Sequence, residues 1–176
     1  MIIRTVSLMV GAIVAVVLAV PMAAAATAPY CGITWGSLPK SAPSTVSAEL
    51  VGLRAGQHDC YDRLVFDFRG AVDGFNVSYV DQVTMDPSGA PVPLRGGARL
   101  AIVLRAPAYD QNGNPTYVFA NPAELVNLAG FQTFRQAAWA GSFEAVTTVG
   151  LGVRARLPFR VFTLPDRIVV DVAHFW

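Results

Sequence analysis

Charged residues are scarce in this chain, and neither sign is in clear excess. Only 14% of its 176 residues are Asp, Glu, Lys or Arg, whereas ordinary soluble domains carry about 25%. The 13 basic and 12 acidic side chains give a formal net charge of +1. A domain that binds nucleic acid needs a basic excess, so the composition excludes this class of partner. So small a fraction of charged residues is also typical of a small β-protein with glycine-rich turns.

The chain also lacks the residue patterns of common hydrolases. It has only two histidines, His58 and His174, and no H-E-x-x-H motif, whereas a catalytic zinc site needs three protein ligands. It has no G-x-S-x-G motif around a serine nucleophile. We therefore predict no metal, no cofactor and no enzymatic activity. A small hydrolase with paired carboxylates is the remaining enzymatic alternative, and its candidate residues are Asp81, Asp86, Asp110 and Glu144.

The first 26 residues have the layout of a secretory signal peptide. A short basic start with Arg4 is followed by an apolar run over residues 6–20, by Pro21 and by an alanine-rich cleavage site at residues 23–26. The apolar run is shorter than the ~20 residues that a membrane-spanning helix needs. We therefore expect cleavage near Ala26 and an exported domain with no stable membrane span. Retention of the segment as an anchor is the alternative.

Cysteine is almost absent, since the chain has only Cys31 and Cys60. An even number of cysteines in an exported protein predicts a disulfide bond. In the chain-entropy model, closing a loop of about 30 residues stabilises a fold by roughly 3–4 kcal/mol. The bond would fasten an extended arm over residues 27–45 to the rest of the protein. We expect residues 46–176 to form one domain.

From Val46 onward, hydrophobic residues alternate with the period of two that is typical of β-strands. Leu64, Phe66 and Phe68 share one face of such a strand, and Phe162 is likewise assigned to the core. Turn dipeptides separate the strands, namely Asp73-Gly74, Ser88-Gly89, Gly96-Gly97 and Asn112-Gly113. The pattern predicts an all-β fold, a small antiparallel β-sandwich of two sheets.

One segment departs from this pattern and predicts a short helix. Asn121 is a good N-cap, Pro122 suits the first helical position, and Glu124 is able to complete a capping box. Gly130 is a suitable helix stop. The sequence therefore predicts about two helical turns over residues 123–129, which would cover the sandwich.

A seven-residue motif occurs twice in the chain. Residues 62–68 read D-R-L-V-F-D-F, and residues 166–172 read D-R-I-V-V-D-V. Each copy predicts a turn with Asp and Arg that starts a strand, whose alternate apolar residues are buried while its second Asp faces polar groups. One such strand in each half of the chain predicts a sandwich with a pseudo-twofold internal repeat.

The second copy, with the two residues before it, resembles the closing motif of the AMIN domain. That domain precedes the catalytic part of N-acetylmuramoyl-L-alanine amidases. A longer pattern resembles the AMIN-like proteins that mycobacteria and related actinobacteria export. It comprises residues 56–66, 93–97, 134–144 and 150–154, so that the resemblance covers most of the predicted domain.

This resemblance implies a β-sandwich of two small sheets and a role in attaching to, or localising at, the cell envelope. It carries over no catalytic or binding residue. We therefore expect a secreted, non-catalytic module that binds peptidoglycan or another cell-wall polymer. The alternative from a different class is an adaptor or assembly factor that docks another envelope protein.

Four side chains are the candidates for polymer binding. Trp139 lies in a segment that we expect to be only partly buried, with Phe143 shortly after it, and aromatic rings offer sugars a stacking surface. Arg154 and Arg156 lie two residues apart on a predicted strand and would project from one face. Guanidinium groups bind carboxylates and phosphates. Core packing of the rings and ion pairing of the arginines are the alternative interpretations.

Overall fold

The computed structural model describes residues 29–176, and the predicted signal peptide over residues 1–26 lies outside the described residues. In the described part, a single 3₁₀ turn (Tyr30–Gly32) accompanies eleven β-strands. The strands are β1 (Lys40–Ala42), β2 (Glu49–Gln57), β3 (Tyr61–Arg69), β4 (Phe75–Val80), β5 (Val83–Thr84), β6 (Pro91–Val92), β7 (Ala98–Leu104), β8 (Phe134–Phe143), β9 (Val146–Val153), β10 (Phe159–Leu164) and β11 (Arg167–Ala173).

The longer strands form two antiparallel sheets around one hydrophobic core. One sheet has five strands in the order β1-β4-β7-β9-β8, and the other has four in the order β10-β11-β3-β2. Both sheets supply fully buried residues to the core, such as Phe66, Leu100 and Ile168. Burying each such side chain contributes about 1.5–3 kcal/mol. The predicted all-β sandwich of two sheets is therefore confirmed.

The predicted helix over residues 123–129 is wrong, because this segment forms turns that pair with the edge of β8. Asn121 does accept a hydrogen bond from the Ala123 N–H at 2.9 Å. However, the Leu125 N–H, which a helix would direct at Asn121, donates to the carbonyl of Ala137 at 2.9 Å. The carbonyl of Pro122 accepts from the N–H of Trp139 at 2.7 Å. Backbone N–H and C=O groups that would form hydrogen bonds within a helix thus form them with the edge of β8 instead.

The arm at residues 27–45, described from residue 29 onward, contacts the edges of both sheets. The carbonyl of Gly36 accepts a hydrogen bond from Phe159 of β10 at 2.9 Å, and β1 pairs with β4 at the edge of the five-stranded sheet. Cys31 and Cys60 form the predicted disulfide, with their Cα atoms 6.4 Å apart. Backbone pairing and a covalent bond therefore both hold the arm against the sandwich.

Candidate binding surface

The two copies of the seven-residue motif lie side by side in the four-stranded sheet. β3 and β11 pair in antiparallel fashion, with Arg63 opposite Asp171 and Arg167 opposite Asp67. Antiparallel pairing reverses one copy relative to the other. The arginine of each copy therefore meets the second aspartate of the other copy, on the outer face of the sheet.

Asp171 binds two arginines from the strands on either side of it. Its Oδ1 accepts from Arg63 Nε at 2.7 Å, and its Oδ2 accepts from Arg63 Nη2 at 2.9 Å and from Arg160 Nε at 2.7 Å. The carboxylate itself is fully buried. This hydrogen bonding with Asp171 raises the pKa of Arg63 above its ordinary value, so the guanidinium stays charged.

Asp67 also has two arginine partners, on the same outer face but nearer the β2 edge of the sheet. It accepts from Arg54 of β2 at 2.9 and 3.1 Å and from Arg167 of β11 at 3.1 Å. In the sheet order β10-β11-β3-β2, Asp67 on β3 lies between β11 and β2, as Asp171 on β11 lies between β10 and β3. The two clusters differ in burial, because the Asp67 side chain is 29% exposed.

Aromatic rings surround the Asp171 cluster. The guanidinium carbon of Arg160 lies 5.6, 5.3 and 5.1 Å from the ring centroids of Trp35, Tyr61 and Phe162. That of Arg63 lies 5.2 and 5.4 Å from the rings of Tyr61 and Phe162. All five side chains are partly exposed. We call Trp35, Tyr61, Arg63, Arg160 and Phe162 the arginine–aromatic face.

A groove of about 280 Å³ adjoins this face through Trp35. Trp176 forms another part of its wall and is 73% exposed. Trp35 is held in place by a hydrogen bond from its Nε1 to the carbonyl of Tyr30 at 2.9 Å. The full lining is Pro29, Tyr30, Ile33, Thr34, Trp35, Pro158 and Trp176. Such a lining offers the flat apolar faces on which sugar rings stack.

Comparison with known proteins identifies the family of the chain. The family model of the AMIN-like domain matches residues 48–174. The chain belongs to the AMIN-like family. No curated protein and no solved structure shows significant similarity to it.

AMIN-like domains are in general non-catalytic modules associated with peptidoglycan. Membership of this family and the disulfide point to a location outside the cytoplasm. In residues 29–176 the AMIN-like domain has no helix of the length and apolar character needed to cross a membrane.

Two of the residues predicted to bind polymer lie on the other sheet of the AMIN-like domain. Trp139 of β8 is partly buried, as expected, and its ring centroid lies 6.1 and 5.0 Å from those of Tyr117 and Phe119. A groove of about 170 Å³ beside Trp139 is lined by apolar residues and prolines and includes no arginine. Phe143 at the end of β8 is 46% exposed. The structure therefore separates these two rings from the predicted arginine pair.

The prediction that Arg154 and Arg156 lie on a strand is wrong. β9 ends before Arg154, and both arginines are in the bend that leads to β10. The guanidinium carbon of Arg154 lies 5.9 Å from the ring of Phe175, and that of Arg156 lies 5.0 Å from the ring of Tyr79. Because each contacts a different ring, the two arginines do not form a row on one sheet face.

The assignment of Phe162 to the core is also wrong. Phe162 pairs with Val169 in the register of β10 and β11, which places it on the outer face with Asp171 and Arg160. Its neighbours Phe159 and Val161 have the opposite parity and point inward. The sequence signal that leads to this face is the repeated motif itself, since it contains both Arg63 and Asp171.

Both histidines have neighbours within the AMIN-like fold. His174 Nε2 lies 3.1 Å from Asp62 Oδ1, and both side chains are buried. Asp62 Oδ2 accepts from the backbone N–H groups of Thr133 and Phe134 at 2.6 and 2.9 Å. His58 stacks on Tyr61 with ring centroids 4.5 Å apart. Over residues 29–176, His, Cys, Asp and Glu form no group of three or more that could hold a metal ion.

Two of the carboxylates considered for hydrolysis have structural partners. Asp110 accepts hydrogen bonds from the backbone of Asn112 and Asn114 at 2.8 Å each. The Asn114 side chain also donates to Asp110, at 2.9 Å. This side-chain hydrogen bond is the largest cause that lowers the pKa of Asp110, and the backbone hydrogen bonds add to it. Asp86 accepts from the hydroxyl of Thr148 at 3.0 Å. These carboxylates stabilise a turn and a strand contact.

Proposed function

We propose that this AMIN-like domain is a secreted, non-catalytic module that binds peptidoglycan, and that its signal peptide is removed near Ala26. The contact surface is the arginine–aromatic face together with the groove beside Trp35. The observation that carries this proposal is the group of three partly exposed rings around two charged guanidinium groups. Peptidoglycan has the complementary chemistry, because its sugars stack on rings and its peptide carboxylates pair with arginines.

Arg154 and Arg156 extend the positive charge around the groove. The backbone carbonyl of Arg156 accepts a hydrogen bond from Trp176 Nε1 at 3.2 Å. Arg154 donates through Nη2 to the carbonyl of His174 and lies beside Phe175. In this proposal the two arginines attract an anionic polymer to the groove. Trp139 and Phe143 form a separate candidate contact on the five-stranded sheet.

Co-sedimentation with purified peptidoglycan tests the proposal. The mature protein alone is expected to pellet with the polymer, and Trp35→Ala to weaken binding about twofold to tenfold, the scale of one aromatic contact. Trp139→Ala tests the separate candidate contact in the same assay, because it removes another partly buried indole, from the other sheet. Thermal unfolding of each variant establishes that it is folded. Failure of the wild-type protein to pellet would refute the proposed function.

A protein partner in the envelope is the second candidate function, and the exposed residues after β11 favour it. Phe175 and Trp176 are 59% and 73% exposed, and apolar rings on a surface are typical of protein interfaces. The same experiment separates the two functions. A protein partner predicts that the wild-type chain pellets only when other envelope proteins are added.

A further inference from the structure

We infer that the guanidinium of Arg160 binds one anionic group of the polymer, either a carboxylate or a phosphate. This inference rests on the proposed function and specifies the chemistry of the group that the arginine–aromatic face recognises. The argument depends on the orientation of the guanidinium, on its charge balance, and on a comparison with the equivalent arginine of the other cluster.

The guanidinium of Arg160 is held in a fixed orientation by its neighbours. Its Nε donates to the buried carboxylate of Asp171 at 2.7 Å. Three rings lie within 5.6 Å of its central carbon. Within residues 29–176, Nη1 and Nη2 of Arg160 have no hydrogen-bond partner. The edge formed by these two nitrogens matches the spacing of two oxygens of a carboxylate or phosphate.

The charge balance of the cluster also favours an anion. Arg63 and Arg160 share the single negative charge of Asp171, so the cluster has a net charge of +1. Arg63 occupies both carboxylate oxygens of Asp171, whereas Arg160 contacts only Oδ2. The charge of Arg160 is therefore the less compensated of the two. Because the surrounding rings exclude part of the water, an arriving anion is attracted more strongly than at an open surface.

Arg54 is the second arginine of the Asp67 cluster, as Arg160 is of the Asp171 cluster, although it lies opposite Val65 and not opposite the aspartate. It differs from Arg160 in both the orientation and the exposure of its guanidinium. It binds Asp67 through both Nε and Nη2, at 2.9 and 3.1 Å, so the edge that Arg160 leaves open is partly used. Its side chain is 56% exposed, against 30% for Arg160. Arg54 therefore provides a matched control of the same residue type in the same sheet.

The test compares Arg160→Gln with Arg54→Gln in co-sedimentation with purified peptidoglycan. Losing a bidentate, charge-assisted contact is expected to weaken binding about tenfold to hundredfold for Arg160→Gln. Arg160→Lys keeps the positive charge but loses the paired N–H donors of the planar guanidinium. We therefore expect it also to bind more weakly than the wild type. Arg54→Gln is expected to bind within about twofold of the wild type, because Arg54 already binds Asp67 through two nitrogens and lies outside the arginine–aromatic face. Asp171 keeps its bidentate partner Arg63 in both Arg160 variants, and thermal unfolding verifies that each variant is folded.

Chemically treated peptidoglycan distinguishes the two sources of the anion. One preparation has its phosphodiester-linked polymers removed, and the other has its carboxylates converted to amides. In the preparation that lacks the recognised anion, the wild-type protein is expected to lose its advantage over Arg160→Gln, so that the two bind equally weakly. If Arg160→Gln and the wild type bind untreated peptidoglycan equally, this inference is wrong and the proposed function stands. If the wild type does not bind at all, both are wrong.

Discussion

Val65 and Val169 face each other across β3 and β11, at the midpoint of the two copies of the repeated motif. Both valines are buried although they belong to the outer face of the sheet. One Arg–Asp–Arg cluster lies on either side of this pair. The repeat in the sequence is therefore a repeat of contacts, in which each copy supplies an arginine to the aspartate of the other.

We predict that Asp171→Ala destabilises the protein far more than Asp67→Ala. Removing Asp171 leaves two partly buried arginines without their counter-charge, which costs about 3 kcal/mol. The cluster of Asp67 is more exposed, so its loss costs about 1 kcal/mol or less. Urea unfolding of both variants measures the difference. Equal losses would mean that the difference in burial has no energetic consequence.

The disulfide between Cys31 and Cys60 is expected to form in the secreted protein. The cysteines are 29 residues apart, and for a loop of this size Cys60→Ser costs about 3 kcal/mol. Mass spectrometry under non-reducing conditions reports the bond, and unfolding with and without reductant reports its contribution. The double variant Cys31→Ser/Cys60→Ser should match the single variant, since either substitution removes the same bond. Two free thiols in the secreted protein would contradict the prediction.

Tyr79 makes the stability of the fold depend on pH in the alkaline range. Burial raises the pKa of Tyr79 to about 12, and its hydroxyl donates to the carbonyl of Leu157 at 2.6 Å and accepts from the N–H of Leu157 at 3.0 Å. Because the folded pKa lies above the unfolded value, this stabilisation is complete below about pH 10. It declines as the pH rises toward 12.

Tyr79→Phe tests this dependence. The variant leaves the Leu157 carbonyl without the hydroxyl, whereas the Leu157 N–H keeps the carbonyl of Ala155 at 2.8 Å as its acceptor. It is expected to lose about 1–3 kcal/mol at neutral pH. Its unfolding free energy should also fall less steeply than that of the wild type between pH 10 and pH 12. Ultraviolet absorbance should show one fewer tyrosine that ionises near pH 12. Identical alkaline profiles for the variant and the wild type would count against the role of Tyr79.

Salt is expected to separate the contributions of charge and stacking to polymer binding. The screening length falls from about 10 Å at 0.1 M to about 3 Å at 1 M ionic strength. Arg154→Ala/Arg156→Ala should therefore weaken binding at low salt and match the wild type at high salt. Trp35→Ala should weaken it at both, because stacking depends on apolar contact. The readout is the dissociation constant for peptidoglycan at each salt concentration.

Most of the fold could be predicted because it depends on local alternation. Leu64, Phe66 and Phe68 reveal their shared face through the period of two alone. The helix prediction failed at Asn121, where every local signal is correct but the edge of β8 competes for the same backbone groups. A single sequence does not show which strand edge lies beside a given turn. The predicted strand around Arg154 failed at a bend between two strands.

The arginine–aromatic face was missed for a related reason. Its members come from the arm, from β3 and from β10, so their proximity depends on strand order and register. The repeated motif revealed Arg63 and Asp171 but not that the two copies pair directly. The core prediction for Phe162 failed because a shift by one residue exchanges the two faces of a strand, and the register of β10 with β11 places Phe162 on the outer face.

The arm also determines how the domain bears mechanical load. A force applied at Pro29 reaches Cys31 first, and the disulfide transmits it to Cys60 in the connection between β2 and β3. The three-residue pairing of β1 with β4 lies beyond that covalent link and is shielded from peeling. A pull on the arm is thus delivered next to Tyr61 on the proposed binding surface, so that the tension between the arm and a bound polymer passes through the four-stranded sheet alone.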